Sequence, residues 1–142
     1  MVDKFLKIIL SIVAIDQLTK WIITTVTPSI SILPFFSIIT VKNMGAGFGI
    51  MQNQVLLLIL ISIAVLVGII WYRKKMQIQE IIPFALITGG LIGNLIDRIF
   101  RGHVIDFLDF FITTHHWPAF NIADIALVVG VGLLIYQDTK KK

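Results

Sequence analysis

Four long apolar stretches constrain this 142-residue chain more than any other feature. They cover residues 5–26, 55–72, 81–100 and 122–137, and each approaches the roughly 20 residues that a helix needs to cross a bilayer. The chain is 57% hydrophobic and only 14% charged, whereas a soluble domain carries about 25% charged residues. We therefore predict a single integral-membrane domain over the whole chain, with four transmembrane helices.

The basic residues predict how these helices are oriented. Eight of the 12 Lys and Arg residues lie at one set of helix ends, namely Lys4, Lys7, Arg73, Lys74, Lys75, Lys140, Lys141 and Lys142. Because basic loops stay in the cytoplasm, both termini and the turn at 73–75 are expected there. The loops at 27–54 and 101–121 then lie on the extracytoplasmic side. This clustering also accounts for the net charge of +4 without a nucleic-acid partner.

The two extracytoplasmic loops have the composition of ordered structure. Residues 29–41 alternate partly, are rich in Ile and Phe, and are broken by Pro34, which predicts short strands lying against the membrane surface. The stretch "NMGAGFGI" (43–50) has glycines that permit tight turns and a close approach of the backbone to a ligand. Residues 107–117 mix aromatic and polar side chains, as an interfacial segment does.

The first polar cluster is "DQLTK", residues 16–20. On a helix, Asp16, Thr19 and Lys20 share one face, because they are three and four residues apart. Ionisable groups at membrane depth are costly, so they either form pairs or carry function. We interpret Asp16 and Lys20 as an ion pair within the membrane, and give Asp16 a supporting rather than a catalytic role.

The second polar cluster is "GGLIGNLIDR", residues 89–98. Its glycines repeat at helical spacing and should let a neighbouring helix pack closely. Asp97 is interpreted as an ion-pair partner of Arg98 or Lys20, and Asn94 as a hydrogen-bonding contact between helices. For Arg98 we favour contact with a substrate, because a guanidinium at the interface can bind peptide carbonyls or lipid phosphate.

Two further carboxylates lie in "GHVIDF" (102–107) and "FNIAD" (120–124). Taken alone, Asp106 is an ordinary loop acid, and Asp124 is an acid in the first turn of a helix that Asn121 caps. The two aspartates are 18 positions apart, and the hairpin-like excursion between them can bring them together at the mouth of the fourth helix. Two carboxylates in a partly desolvated site share one proton. The charged member can activate water while the neutral one polarises a carbonyl, which is the chemistry of aspartic peptidases.

Other catalytic chemistry has weaker support. With no cysteine, thiol chemistry and cysteine metal sites are excluded, and the chain contains neither H-E-x-x-H nor G-x-S-x-G. His103, His115 and His116 could join Asp106 or Asp109 around zinc, but they lack a ligand-spacing signature. Two non-enzymatic alternatives are a proton- or ion-coupled transporter that uses the same carboxylates and a structural membrane protein whose acids satisfy local bases.

The five motifs "DQLTK", "NMGAGFG", "GGLIGNLIDR", "GHVIDF" and "FNIAD" appear in the order found in the bacterial lipoprotein signal peptidases, or signal peptidase II. The chain resembles this family over nearly its whole length. The resemblance implies a mainly α membrane fold with four transmembrane helices, an extracytoplasmic β-cradle and a short interfacial helix. It also implies an aspartic endopeptidase of the inner membrane that cleaves prolipoproteins before a diacylglyceryl-modified cysteine. Globomycin-type inhibitors and membrane lipid are implied partners, no metal or organic cofactor is implied, and we expect a monomer.

The resemblance also assigns roles to individual residues. The catalytic pair falls on Asp106 and Asp124. The substrate-binding positions are Asn43, Gly45, Asn94, Arg98 and Asn121, and the supporting polar positions are Asp16, Lys20 and Asp97. Gly47 and Ile125 depart from the family pattern, in which alanine and serine are usual at these two places.

Overall fold

A computed structural model describes residues 3–26, 29–46 and 50–140. Its principal elements are four α-helices and a four-stranded sheet. The helices are α1 (Lys4–Val26), α2 (Val55–Tyr72), α3 (Ile81–Arg101) and α4 (Ile122–Thr139). The strands are β1 (Ile30–Leu33), β2 (Phe36–Asn43), β3 (Val104–Ile112) and β4 (His115–His116). Each helix begins and ends within two residues of a predicted apolar stretch.

Three helical segments in the described part of the chain are long and apolar enough to cross a membrane. They are Val55–Lys75, Ile78–Arg101 and Ile122–Thr139. In α2, the buried residues Leu58, Ser62 and Ile69 lie on one face, whereas most of the other side chains are apolar and exposed. A helix that is apolar all round suits a lipid environment. The prediction of membrane helices is therefore confirmed for three segments, and α1 as a fourth span stays a prediction.

Helix α3 lies at the centre of the bundle and packs against α1, α2 and α4. The closest approach is to α4, because a Cβ atom at Gly90 would lie 2.4 Å from the carbonyl oxygen of Ala123. A Cβ atom at Gly89 would lie 2.9 Å from the side chain of Ile12 in α1. The predicted use of these glycines for close helix packing is confirmed. Helix α3 ends at Gly102, whose left-handed backbone (φ 74°) turns the chain into β3.

The sheet is antiparallel, with the strand order β1-β2-β3-β4. The turn at Pro34 and Phe35 separates β1 from β2, so the prediction of short strands broken by Pro34 is confirmed. Residues 107–117, which we expected to lie along the interface, are mostly the strands β3 and β4. After β4, Phe120 pairs with Leu108 of β3, and this pairing brings the chain back to the start of α4.

The interfacial helix implied by the family resemblance has no counterpart in the described residues near the sheet. The short helical turns that the structure describes are 3₁₀ segments at Arg73–Lys75 and Ile78–Glu80, between α2 and α3. Gly47, together with the rest of residues 47–49 of the glycine-rich motif, lies outside the described residues. The interfacial helix therefore stays a prediction.

The packing at Gly90 predicts the effect of adding one methyl group. Gly90→Ala should lower the free energy of unfolding by about 1–3 kcal/mol, because the new Cβ would collide with a backbone carbonyl. Gly132→Ala on α4 is the matched control, because a Cβ there meets nothing within 4 Å and alanine favours the helix by about 0.5–1 kcal/mol. Thermal unfolding in detergent measures both variants. Equal melting temperatures for the two would contradict the proposed close approach.

Candidate active site

Two carboxylates from different elements line one cavity of about 450 Å³. Asp106 lies on β3 and is 2% exposed, while Asp124 lies in the first turn of α4 and is half-buried. The same cavity is lined by Asn43, Asn94 and Arg98. The structure thus brings together the two aspartates that the sequence analysis selected, although they are 18 residues apart.

Asp106 is held by two side-chain amides. In the sheet, Asp106 pairs with Val41 of β2, which brings Asn43 at the end of that strand within reach. Asn43 donates from Nδ2 to Oδ2 of Asp106 at 2.9 Å, and Asn121 donates from Nδ2 to Oδ1 at 2.7 Å. Each carboxylate oxygen of Asp106 therefore has its own donor.

Asp124 is held by the start of its own helix. Asn121 caps α4 and accepts from the backbone N–H of Asp124 at 2.9 Å, and its own N–H donates to Oδ2 of Asp124 at 3.2 Å. This reciprocal arrangement is a capping box, and it confirms the predicted N-cap. Asn94 of α3 donates to Oδ1 of Asp124 at 2.8 Å. Because Asn121 bonds to both aspartates, it couples their positions.

The environment of Asp106 favours its protonated form. Burial, followed by the negative charge of Asp124, raises the pKa of Asp106 from 3.8 to about 6. The hydrogen bonds from Asn43 and Asn121 and the charge of Lys20 act in the opposite direction, since they stabilise the carboxylate. Asp106 therefore gains or loses its proton close to physiological pH, as a group that transfers protons should.

A buried ion cluster lies behind the two aspartates. The ammonium of Lys20 is fully buried, with Nζ 2.8 Å from Oδ2 of Asp16 and 2.8 Å from Oδ2 of Asp97. It also donates to Oδ1 of Asn94 at 3.0 Å. The predicted contacts of Lys20 with Asp16 and Asp97 are observed, whereas Asp97 forms its second ion pair with Arg101 instead of Arg98.

This cluster also fixes the backbone beside each cavity aspartate. Asp16 accepts from the N–H of Ala123 at 2.9 Å, one residue before Asp124. Asp97 accepts from the N–H of Ile105 at 3.2 Å, one residue before Asp106. Gln17 adds hydrogen bonds to both acids. The supporting acids therefore position the two chain segments that carry the cavity carboxylates.

Arg98 reaches into the cavity from the last turns of α3. Its Nη2 donates to the carbonyl oxygen of Gly45 at 2.9 Å, and Gly45 in turn donates to Oδ1 of Asn43 at 2.9 Å. Within the described residues, Nε of Arg98 is buried without a hydrogen-bond partner. A buried donor without a partner is costly, so this N–H is available to a ligand carbonyl in the cavity.

Sequence reasoning missed several residues that shape the site. Gln17 and Arg101 join the ion cluster, and Gln17 was visible as the polar neighbour of Asp16 in "DQLTK". The rest of the cavity wall comes from Val104, Trp117, Pro118, Ala119, Phe120, Ile125, Leu127, Val128 and Val129. The described part of the chain has no group of three His, Cys, Asp or Glu residues arranged to hold a metal ion. Asp109, named in the zinc alternative, bonds instead to His116.

Membrane-capable helices, with one buried and one half-buried acid lining a ligand-sized cavity, define a membrane-embedded protein with the components of an acid–base catalyst. The family model described as signal peptidase (SPase) II matches residues 8–140. The chain therefore belongs to the signal peptidase II family, and it is an aspartic endopeptidase.

Individual relatives agree with this assignment. A lipoprotein signal peptidase of Halalkalibacterium halodurans is 42% identical over 135 residues, which cover 90% of this chain and 86% of the relative. One from Haemophilus ducreyi is 38% identical over 152 residues and covers 98% and 94% of the two chains. A solved bacterial membrane enzyme superposes with a TM-score of 0.88 at 33% identity, over 96% of this chain and 87% of that one.

The position of Lys20 predicts a large loss of stability when its charge is removed. In Lys20→Met, Asp16 and Asp97 would remain buried without their shared cation, which should cost about 3–5 kcal/mol. The matched control is Lys7→Met on the same helix, because Lys7 is exposed. Unfolding of both variants in detergent tests this. A Lys20→Met protein as stable as the control would show that the ion cluster does not hold the site.

The hydrogen bond from Asn43 predicts the direction of a titration change. Asn43→Ala should raise the pKa of Asp106 above about 6, because it removes a donor that stabilises the carboxylate. Infrared or ¹³C NMR titration of labelled aspartate measures this pKa, with Asp106→Asn used to assign the signal. Thr40→Ala, at an exposed position of the same strand, should leave it unchanged. A lower pKa in Asn43→Ala would contradict the assignment.

Proposed function

We propose that this protein removes signal peptides from diacylglyceryl-modified prolipoproteins, cleaving before the lipid-modified cysteine. Its relatives in Halalkalibacterium halodurans and Haemophilus ducreyi are named lipoprotein signal peptidases. The observation that carries the proposal is the placement of Asp106 and Asp124 in one cavity, linked by the amide of Asn121 and with the pKa of Asp106 raised to about 6.

Asp106 and Asp124 act as a pair that shares one proton. The ionised member removes a proton from a water molecule, whose oxygen attacks the carbonyl carbon of the scissile peptide bond. The protonated member donates its proton to the carbonyl oxygen. As the tetrahedral intermediate collapses, the leaving nitrogen receives a proton from the protonated member and the C–N bond breaks. The ionised member takes a proton from a hydroxyl of the intermediate, so the pair again holds one proton. General acid–base catalysis of this kind contributes about 10²–10⁴-fold to a rate.

The polar residues of the site divide into two roles. Asn43, Asn94 and Asn121, which the sequence analysis assigned to substrate binding, each donate a hydrogen bond to one of the two aspartates, so they also hold the carboxylates in position for the substrate. Arg98 has a buried Nε–H without a partner among the described residues and contacts Gly45. We assign to Arg98, supported by Gly45, the binding of a backbone carbonyl of the substrate peptide.

The lipid and the signal helix of the substrate fit the apolar side of the cavity. The wall continues along α4 through Ile125, Val128 and Val129, whose side chains are exposed. On a membrane helix these side chains face the bilayer. The acyl chains and the apolar signal segment can therefore stay in lipid while the peptide bond beside the modified cysteine reaches the aspartates.

The topology follows from the charges and the place of the site. We infer four spans, with α1 as the first, both termini in the cytoplasm and the site at the extracytoplasmic face of the bacterial inner membrane. The basic residues Lys4, Lys7 and Arg73 lie at the helix ends remote from the cavity, as the positive-inside rule expects. We propose that the protein acts as a monomer and that globomycin-type inhibitors occupy the substrate cavity.

Replacement of either aspartate tests the mechanism. Asp106→Asn and Asp124→Asn should each reduce cleavage of a diacylglyceryl-modified prolipoprotein by at least about 10²-fold, because neither amide can exchange a proton in the cycle. Asp138→Asn is the control, since Asp138 is exposed at the other end of α4. Cleavage by purified protein is followed by gel shift of the precursor. Near-normal turnover by either dyad variant, with the protein folded, would overturn the mechanism.

A further inference from the structure

A second carboxylate of β3 makes a contact for which the proposed reaction has no role. Asp109 lies three residues beyond Asp106 and is 4% exposed. It pairs with His116 of β4, whose side chain is 54% exposed. Burying Asp109 is energetically unfavourable, because the acid loses most of its hydration, and the contact with His116 offsets part of this cost.

The contact fixes the orientation of the histidine ring. Nδ1 of His116 lies 2.9 Å from Oδ1 and 3.0 Å from Oδ2 of Asp109. An ionised carboxylate can only accept hydrogen bonds, so Nδ1 of His116 is the donor in this contact whenever Asp109 is ionised. The ring also stacks on Phe111, with the ring centres 5.0 Å apart and the planes at 26°. The His116 ring is therefore held in two ways, by stacking on Phe111 and by the hydrogen bond at Nδ1.

The segment that follows His116 forms part of the cavity wall. Residues 117–120 all line the cavity that holds Asp106 and Asp124. The backbone N–H of Trp117 donates to Phe110 at 2.7 Å, and Phe120 exchanges hydrogen bonds with Leu108 at 2.9 and 3.2 Å. Between these two anchors, Pro118 has no N–H to add a further hydrogen bond. The position of the wall therefore depends on how firmly its ends are held.

His116 is the residue immediately before this wall, and Asn121 is the residue immediately after it. Asn121 is fixed by its bonds to both cavity aspartates and to the first turn of α4. At the start of the wall, the side-chain contact between His116 and Asp109 holds the chain in the same way. It ties the start of the wall to the same strand that carries Asp106.

We propose that His116, held by Asp109, is a positioning residue that sets the place of the wall at 117–120 for substrate binding. The inference rests on the proposed function, in which the peptide substrate occupies this cavity. His116 does not touch the reacting atoms. Its loss therefore weakens substrate binding while the aspartate pair keeps its chemistry.

The test compares KM and kcat for cleavage of a diacylglyceryl-modified prolipoprotein. His116→Ala should raise KM about tenfold and leave kcat within about twofold, because a hydrogen bond to a charged group is lost outside the reacting centre. His116→Asn should restore KM to within about threefold of the wild type, since the amide Nδ2 can take the place of the ring Nδ1 as a donor. His115→Ala, which changes the adjacent exposed histidine, should match the wild type.

A second readout reports the wall itself. In a protein with Trp21→Phe and Trp71→Phe, the remaining tryptophan is Trp117, and its fluorescence maximum should shift in His116→Ala and return in His116→Asn.

The proposal is overturned if His116→Ala and His115→Ala have the same KM, if kcat falls with KM unchanged, or if folded His116→Asn fails to restore KM. If His116→Ala does not fold, the KM values of His116→Asn and Asp109→Ala are compared instead. Asp109→Ala should have the higher KM, because it removes the contact that His116→Asn keeps, and equal values overturn the proposal. The proposed function is tested separately: if the wild type cleaves the prolipoprotein and Asp106→Asn does not, that function stands whatever the His116 variants show.

Discussion

The structure depends on one buried cation. The ammonium of Lys20 is removed from solvent and lies against Asp16, Asp97 and Asn94. Charges this deep are tolerated only when they are paired and fully hydrogen-bonded. Asp16 uses Oδ2 for Lys20 and Oδ1 for the backbone N–H of Ala123. Asp97 uses Oδ2 for both Lys20 and the backbone N–H of Ile105. The electrostatics of the core therefore decide where the backbone next to each cavity aspartate must lie.

The cavity aspartates have different neighbours from the supporting acids. Asp16 and Asp97 face a cation, whereas Asp106 faces the amides of Asn43 and Asn121 and the charge of Asp124. Neutral amides orient a carboxylate without forcing it to stay ionised. Burial can then raise the pKa of Asp106 into the range where it exchanges protons. The same type of side chain is thus an ion-pair partner beside Lys20 and able to exchange a proton beside the amides of Asn43 and Asn121.

Sequence reasoning recovered what depends on local patterns. Apolar runs of membrane length located the four helices, Pro34 located the turn between the first two strands, and Asn121 was recognised as a helix cap. The excursion between Asp106 and Asp124 predicted that the two acids come together, and the family motifs indicated the same pair. Contacts set by strand register, such as that of Asp109 with His116, and the choice of Arg101 as partner of Asp97 were not predictable. Each depends on long-range geometry or on one of several basic residues at similar helical spacing.

The hydrogen bond from the N–H of Ala123 to Asp16 joins positions 107 residues apart in the chain. During synthesis, the first helix is made long before the last one leaves the ribosome. A nascent chain that stops short of the fourth helix has the acid but not the amide that meets it, and it also lacks Asp124. The backbone beside Asp124 can therefore reach its position in the cavity only after the fourth helix has been synthesised and has packed against the first.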